Sequence, residues 1–394
     1  MVLKFFSFRF LFSTVSCDLT VVRVNKKALL RKFVQFPYDL YEGSKYWVPP
    51  LMMEEIKSLI PEKNPSLNQS DFECWLVLRR KKIVGRVAAF INRKDNKIRD
   101  RNAVRFGMID FIDDASVCEM LLKEVENWAN GKELDLIEGP LGPGHFDRNC
   151  VLVEGFDELS TAISSYNYPY YGNHIESYGY VKEVDYLEHR IKISKDPDPR
   201  VEKISSYVLR KKGLSIWAAR SKKELIARGK EFFELINEAY TGLHDFVPLS
   251  DEEIDYLISH FFSFIETKYV KIVVDAKGDI VAAGVAMESV SEALQRSGGK
   301  LLPFGWLKMW LAMRSNDVLD LCLVAVSEKF QGAGLNSILM HEMHKTALDN
   351  GLKWAETNGE LETNSQVLTM WDGYEYRTHK RRRIYSKTLK ESNI

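Results

Sequence analysis

Apolar and polar positions along the chain fall into two series of elements that follow the same order. The strand-like run Cys74 to Leu78 precedes Lys82 to Ala89 in the first half, and Val270 to Val274 precedes Asp279 to Ala286 in the second. Each pair is separated by a short polar turn and predicts a β-hairpin. A further apolar strand comes next, Val104 to Phe111 and Val318 to Val326. It leads into apolar residues at helical spacing: Val117, Leu121, Leu122, Val125 and Trp128 within Ser116 to Ala129, and Ile338, Leu339, Met343 and Ala347 within Asn336 to Leu348. Both stretches run into Asn-Gly, at Asn130-Gly131 and Asn350-Gly351, which predicts matching glycine C-caps. A short strand ending in an acid follows, Leu134 to Glu138 and Leu352 to Glu356, and later a Gly-Tyr pair, Gly179-Tyr180 and Gly373-Tyr374, opens a last strand. Hairpin, strand, helix and strand, repeated, predict an internal duplication. The fold class is α/β (α+β), with mixed twisted sheets and helices on both faces.

The segment Ser194 to Arg200, with Pro197, Pro199 and alternating charge, reads as the linker. It gives an N-terminal extension, 1–19, a first domain, 20–195, and a second, 196–394. The length of 394 residues agrees, since one hydrophobic core stops growing well below that size. Apolar residues at 45% and aromatics at 12% exclude intrinsic disorder. Lys plus Arg and Asp plus Glu total 55 each, so no global field draws the chain to nucleic acid or an anionic surface. Cys17, Cys74, Cys118, Cys150 and Cys322 are scattered and match no metal-ligand or disulfide pattern. They read as reduced thiols of a cytoplasmic protein, and no metal is expected. Met1 to Cys17 is apolar but split by Arg9, and reads as an irregular start or first strand rather than a targeting segment. No other stretch holds the ~18 to 20 apolar residues that cross a bilayer.

Chemistry concentrates at Val324 to Leu339. A strand ending at Val326 enters a glycine-bearing turn, Gln331-Gly332-Ala333-Gly334, that opens an amphipathic helix at Leu335-Asn336-Ser337. Unpaired amides and the positive end of the helix dipole then face any anion placed there, and two residues without Cβ let a pyrophosphate approach the main chain. Neither a Walker A sequence nor a dinucleotide fingerprint is present. In the first half the equivalent stretch reads Ile112-Asp113-Asp114-Ala115-Ser116, without glycine and with two carboxylates that would repel a pyrophosphate.

The second loop resembles the acetyl-CoA loop of the GNAT acyltransferase superfamily: Gln or Arg, two residues, Gly, one residue, Gly or Ala. Gln331 and Gly334 match, while Asn336 stands where the last Gly or Ala is expected. The element order of both halves is similar to that fold. Phe36-Pro37-Tyr38, Tyr46 to Pro50, Glu154-Gly155-Phe156 and Tyr166 to Tyr171 resemble a bacterial family that carries two such domains in tandem. The resemblance implies a transferase with acetyl-CoA as donor and a small-molecule or peptide amine as acceptor. It implies a donor site at Val324, Val326 and Gln331 to Ser337, in the second half alone. It also implies a catalytic base, for which Asp320 stands on the strand feeding the loop, and a polar group at Glu360, Glu362 and Asn364, of which Glu362 and Asn364 are taken as catalytic. A tyrosine often used as general acid is replaced by Thr369. Two further readings stay open: a non-catalytic CoA-binding or interaction module, and aminoacyl transfer from charged tRNA. A cleft plugged by Trp306 or Trp310 would favour the module.

Among weaker features, the apolar run Leu301 to Leu311 reads as a buried cover over the cleft rather than a membrane-surface contact. His379 to Arg383 reads as a solvated strand edge, and Tyr166 to Tyr171 as aromatics packed under a loop. Acceptor contacts are expected from Lys222 to Tyr240 and Asp251 to Phe264.

Overall fold

The computed structural model describes residues 18–195, 199–244 and 246–389. The extension before Asp18 and the linker residues 196–198 lie outside them. The first half contributes strands β1 (Leu19–Arg23), β2 (Ser70–Arg79), β3 (Lys82–Asn92), β4 (Ala103–Phe111), β5 (Leu136–Gly139), β6 (Val151–Glu154) and β7 (Val181–Lys192). The second contributes β8 (Ser215–Trp217), β9 (Val270–Val274), β10 (Ile280–Glu288), β11 (Val318–Val326), β12 (Trp354–Thr357), β13 (Glu360–Leu361) and β14 (Tyr376–Thr388).

The two hairpins form where the pattern places them. β2 turns into β3 through Arg80 and Lys81, both at positive φ (47° and 71°), the tight turn whose twist suits antiparallel strands. β9 turns into β10 around the Asp275 carboxylate, which accepts from the Lys277 and Asp279 amides. Helices Ala115–Asn130 and Leu335–Asp349 lay their apolar stripes on the respective sheets, with Val117, Leu121, Leu122 and Val125, and Leu335, Ile338, Leu339 and Met343, all buried. Their ends differ from the expected symmetry. Gly351 takes the left-handed conformation (φ 74°), whereas Gly131 stays right-handed (φ −67°) and Glu133 takes the positive φ two residues later. The first helix therefore ends with an extra turn, closed by Leu134 N–H to Ala129 O.

One continuous sheet joins the halves in the order β1-β2-β3-β4-β5-β14-β7-β12-β11-β10-β9-β8, with β13 against β7 and β6 against β14. The closing strands have changed places. β14, last in the chain, lies between β5 and β7 of the first half, and β7 pairs with β12 of the second. The chain passes between halves at the linker, but the sheet does not divide there.

This exchange corrects the reading of the basic run. His379, Lys380 and Arg382 are buried in the middle of the sheet. Arg382 ion-pairs with Glu188, and Lys380 Nζ lies 3.3 Å from Glu188 and 3.6 Å from Glu356. Burial would push the Glu188 carboxyl up, but Arg382 and Lys380 hold it down to about 2. The run looked solvated because its charge was legible and its partners, far away in sequence, were not. A second correction concerns Leu301 to Leu311. It forms the helix Gly305–Met313, but Leu302, Phe304, Trp306, Trp310 and Leu311 are exposed.

Candidate active site

The site arises from a splay between two parallel strands. β11 and β12 pair only from Val318–Trp354 to Leu321–Thr357; β11 then continues to Val326 while β12 ends. Beyond Leu321 one edge of β11 has lost its neighbour. The Cys322 carbonyl accepts from Asn358 Nδ2 (2.9 Å) and the Val324 carbonyl from the Tyr240 hydroxyl (3.1 Å). On the other edge, Ser327 N–H bonds to Val281 of the β10 side. Alternation along the strand therefore turns the peptide groups of Cys322, Val324 and Val326 toward the gap.

At the end of β11, Glu238 accepts from Ser327 Oγ (2.8 Å) and the Glu328 amide (2.9 Å) and fixes the start of the loop. Gly332 and Gly334 adopt positive φ (71° and 81°), and a Cβ at either would meet nothing within 4 Å, so the surface above them is open. The helix Leu335–Asp349 begins at Gly334 with no side-chain cap and no acid in its first turn. Among the described residues, no hydrogen bond engages the amides of Gly334, Leu335, Asn336 or Ser337. These are the orphan donors of a helix start, available to an anion. The residues present fit a pyrophosphate, and Asn336, in place of the expected small residue, does not close the cradle.

Loop and splay open into a cleft of about 800 Å³. Its walls include Leu321 to Val326, Gln331, Asn336, Met340 and Met343 on one side, and Thr357 to Leu361, Thr363, Asn364 and Trp371 on the other. Tyr240 and His244 come from the early helical region of the second half, Tyr186 from β7, and Arg99 and His145 from the first half. Neither Trp306 nor Trp310 lines it.

The ionisable group best placed for chemistry is Glu360. Trp371 Nε1 donates to both carboxyl oxygens (3.0 and 3.2 Å), and His189 Nε2 lies 3.5 Å away. Burial pushes the Glu360 carboxyl up to about 7 even though the Trp371 bond opposes it. Burial also lowers the His189 imidazole, whose Nδ1 meets Thr378 Oγ1 at 3.0 Å. A neutral ring thus stands beside a carboxyl that ionises near neutrality.

The expected catalytic residues divide. Asn364 lines the cleft and its Oδ1 caps the short helix Ser365–Leu368. Glu362 turns away: it binds Lys182 Nζ (2.6 Å), Arg381 Nη1 (3.4 Å) and the Asp185 amide (3.3 Å). Asp320 is buried, opposite Glu356 where β11 and β12 still pair, and is absent from the lining. Burial, with the Glu356 charge adding, pushes its carboxyl up to about 7. The polar group read from the sequence contains Glu360 without singling it out; its signal, the indole eleven residues later at Trp371, is a contact rather than a motif. The contributions of Tyr186, Arg99 and His145 had no local signal. Among the described residues no group of three or more His, Cys, Asp and Glu could hold a metal ion.

The first half shows the same splay in a filled state. β4 and β5 pair from Ala103–Leu136 to Arg105–Glu138, and β4 continues to Phe111. Its free edge is then occupied from within. Leu141 N–H bonds to Phe106 O (2.7 Å), Phe111 N–H donates to the Tyr171 hydroxyl (3.1 Å), and Tyr170 donates to Phe111 O (2.6 Å). The expected aromatic packing under a loop is thus a plug. At the helix start, Asp114 caps the Ser116 amide and pairs with Arg79, while Asp113 pairs with His174. What remains is a smaller cavity of about 160 Å³, lined in part by the buried set Tyr41, Arg86, Asp110 and Tyr171.

No protein-family model matches the chain. It is 26% identical over 394 residues to the bacterial ceramide synthase of Caulobacter vibrioides (strain NA1000 / CB15N), covering 96% of this chain and 100% of that protein. It is 25% identical over 367 residues to Protein YghO of Escherichia coli (strain K12), covering 91% and 93%. Among solved structures, a tandem GNAT protein from the clavulanic acid biosynthesis pathway, without AcCoA, matches with a TM-score of 0.57 at 10% identity over 95% of this chain and 100% of that one. A GCN5-related N-acetyltransferase from Sphaerobacter thermophilus matches with a TM-score of 0.52 at 11% identity over 94% and 96%. The fold is the tandem GNAT fold.

Proposed function

We propose that the chain is an N-acyltransferase that moves an acyl group from acyl-CoA to a primary amine, and that the acceptor is a long-chain amino alcohol of the kind whose N-acylation makes a ceramide. One observation carries the transferase reading: the outward edge of β11, the loop residues Gln331 and Asn336 and a carboxyl that ionises near neutrality all line one cleft. The choice of acceptor rests on the full-length likeness to a ceramide synthase and on the apolar side of the cleft, where Leu321, Leu323, Met340, Met343 and Val367 suit an alkyl chain better than a polar amine. That same wall suits a donor longer than acetyl-CoA, which is the shortest member of the class.

In this reading the pyrophosphate rests on Gln331 to Ser337, and the pantetheine arm pairs with the outward peptide groups of Val324 and Val326. With Asp320 and Glu362 outside the lining, the base falls to Glu360. Ionised, it accepts a proton from the ammonium of the acceptor, and the freed nitrogen attacks the thioester carbonyl. The C–N bond forms, an outward amide of β11 donates to the developing oxyanion, and the C–S bond breaks to release CoA thiolate, which takes up the second proton shed by the nitrogen through solvent. Trp371 holds the carboxyl in position, and neutral His189 stands beside it without competing for the proton.

The reading is tested by incubating the protein with acyl-CoA donors of increasing chain length and a long-chain amino alcohol, following thiol release and the amide product. Amine-dependent thiol release that Glu360→Gln removes supports it. A folded protein that binds no acyl-CoA in calorimetry sinks it and returns the weight to a non-catalytic module.

A further inference from the structure

The helix Gly305–Met313 and the turn before it present an apolar surface that the acyltransferase reading leaves unused. Trp306, Leu307, Trp310 and Leu311 fall at i, i+1, i+4 and i+5, a single stripe, and all four are exposed. Leu302 and Phe304 are more so, at 81% and 67%. The presentation is built in. Gly305 has no Cβ, which would lie 1.6 Å from the Lys300 carbonyl, so the turn closes tightly on the helix start. The preceding helix, Ser291–Ser297, is tied to the first half: Gln295 Nε2 donates to the carbonyls of Lys45 (3.0 Å) and Trp47 (3.1 Å), and Gly299 O accepts from the Met52 amide (3.2 Å).

Charge says what covers this surface. Between Glu292 and Asp317 the chain carries Arg296, Lys300, Lys308 and Arg314 and no carboxylate, in a protein whose formal net charge is zero. Arg296 pairs with Glu292; among the described residues no ion pair engages Lys300, Lys308 or Arg314. The Arg314 guanidinium lies 3.6 Å from the centre of the Trp310 ring. Indoles whose polar edge stays wet while the ring is buried, beside cations that reach phosphate, are the chemistry of an anionic bilayer interface. No helix among the described residues is long and apolar enough to cross a membrane, so the element lies on a surface rather than spanning it.

We propose that Leu301 to Arg314 is a docking element for an anionic lipid bilayer. It goes beyond the acyltransferase reading and does not rest on it, because binding is read without substrate. The test is flotation of the full chain with vesicles of phosphatidylcholine containing phosphatidylglycerol, against phosphatidylcholine alone, with quenching of tryptophan fluorescence by brominated lipid. The expected result is flotation and quenching with anionic vesicles. Trp306→Ser with Trp310→Ser weakens binding roughly ten-fold or more, and Lys300→Glu with Lys308→Glu and Arg314→Glu removes the preference for anionic lipid. Circular dichroism and thermal unfolding of each variant show whether the chain is folded. Absence of flotation and quenching with the unaltered protein overturns the proposal without touching the acyltransferase reading. A concentration-dependent dimer that the tryptophan changes convert to monomer also overturns it, assigning the surface to a second copy.

Discussion

The two halves answer the same geometric problem in opposite ways. Each has a strand that outruns its parallel partner, β4 past Arg105 and β11 past Leu321, and each thereby exposes peptide groups that need partners. The first half supplies them internally, with the backbone at Leu141 and the hydroxyls of Tyr170 and Tyr171, and places two carboxylates at the helix start. The second supplies partners to the Cys322 and Val324 carbonyls, but among the described residues it leaves the Val324 and Val326 amides and the helix start open. In the proposed reading the ligand site is a deficit of internal hydrogen bonds, and the half without that deficit is self-sufficient.

That contrast can be broken at its sharpest point by giving the second half the first half's chemistry. Gly334→Asp places a carboxylate in the proposed cradle, and its expected effect is loss of acyl-CoA affinity by about 100-fold or more, read by calorimetry. Gly334→Ala separates charge from backbone strain and is expected to cost far less. Next in size, Glu360→Gln lowers kcat by about 100-fold while the donor KM stays unchanged, within the range ascribed to general base catalysis. In the parent, kcat/KM rises with pH and levels off above about 7 as Glu360 ionises, and the variant loses that inflection.

The reverse exchange sharpens the comparison. Asp113→Gly with Asp114→Gly is expected to leave calorimetric stoichiometry at one donor per chain, because Tyr170 and Tyr171 still occupy the β4 edge. Stability falls by only about 0.3 kcal/mol through the changed cap, since glycine is itself a tolerated N-cap. A second binding event would show that the carboxylates alone silence the first half. The smallest effect is on pH-dependent stability. Asp320 and Glu360 are both raised in the folded protein to about 7, so each contributes stability that is present below its unfolded value and lost as pH rises through 7. Thermal unfolding is expected to show a falling midpoint from pH 5 to 8, with Asp320→Asn flattening part of the slope.

Much of the fold was legible because it depends on local periodicity. Both hairpins, both outrunning strands and both long helices can be read from residues within a few positions of one another. The exchange of β7 and β14 could not, since a strand's pattern announces a strand and not its neighbour. The basic run at His379 misled for that reason: Glu188 and Glu356, which neutralise it, are brought close only by the exchange. The open turn at Gln331 to Ser337 was legible because its signal is the absence of Cβ atoms and acids. Asp320 shares strand parity with Val324 and Val326, but parity does not say where the pairing with β12 stops, and Asp320 falls on the closed side. Glu362 sits two residues from Glu360, yet β13 ends at Leu361, so alternation no longer governs which way it points.

The exchanged strands also set the order in which the molecule can be completed during synthesis. β14 is made some two hundred residues after β5 and β7, between which it belongs. While the ribosome is still translating the second half, the first half carries two bare strand edges that no nascent segment can cover. The sheet closes only after Tyr376 to Thr388 have been made, so a premature stop before Tyr376 damages the half that was made first.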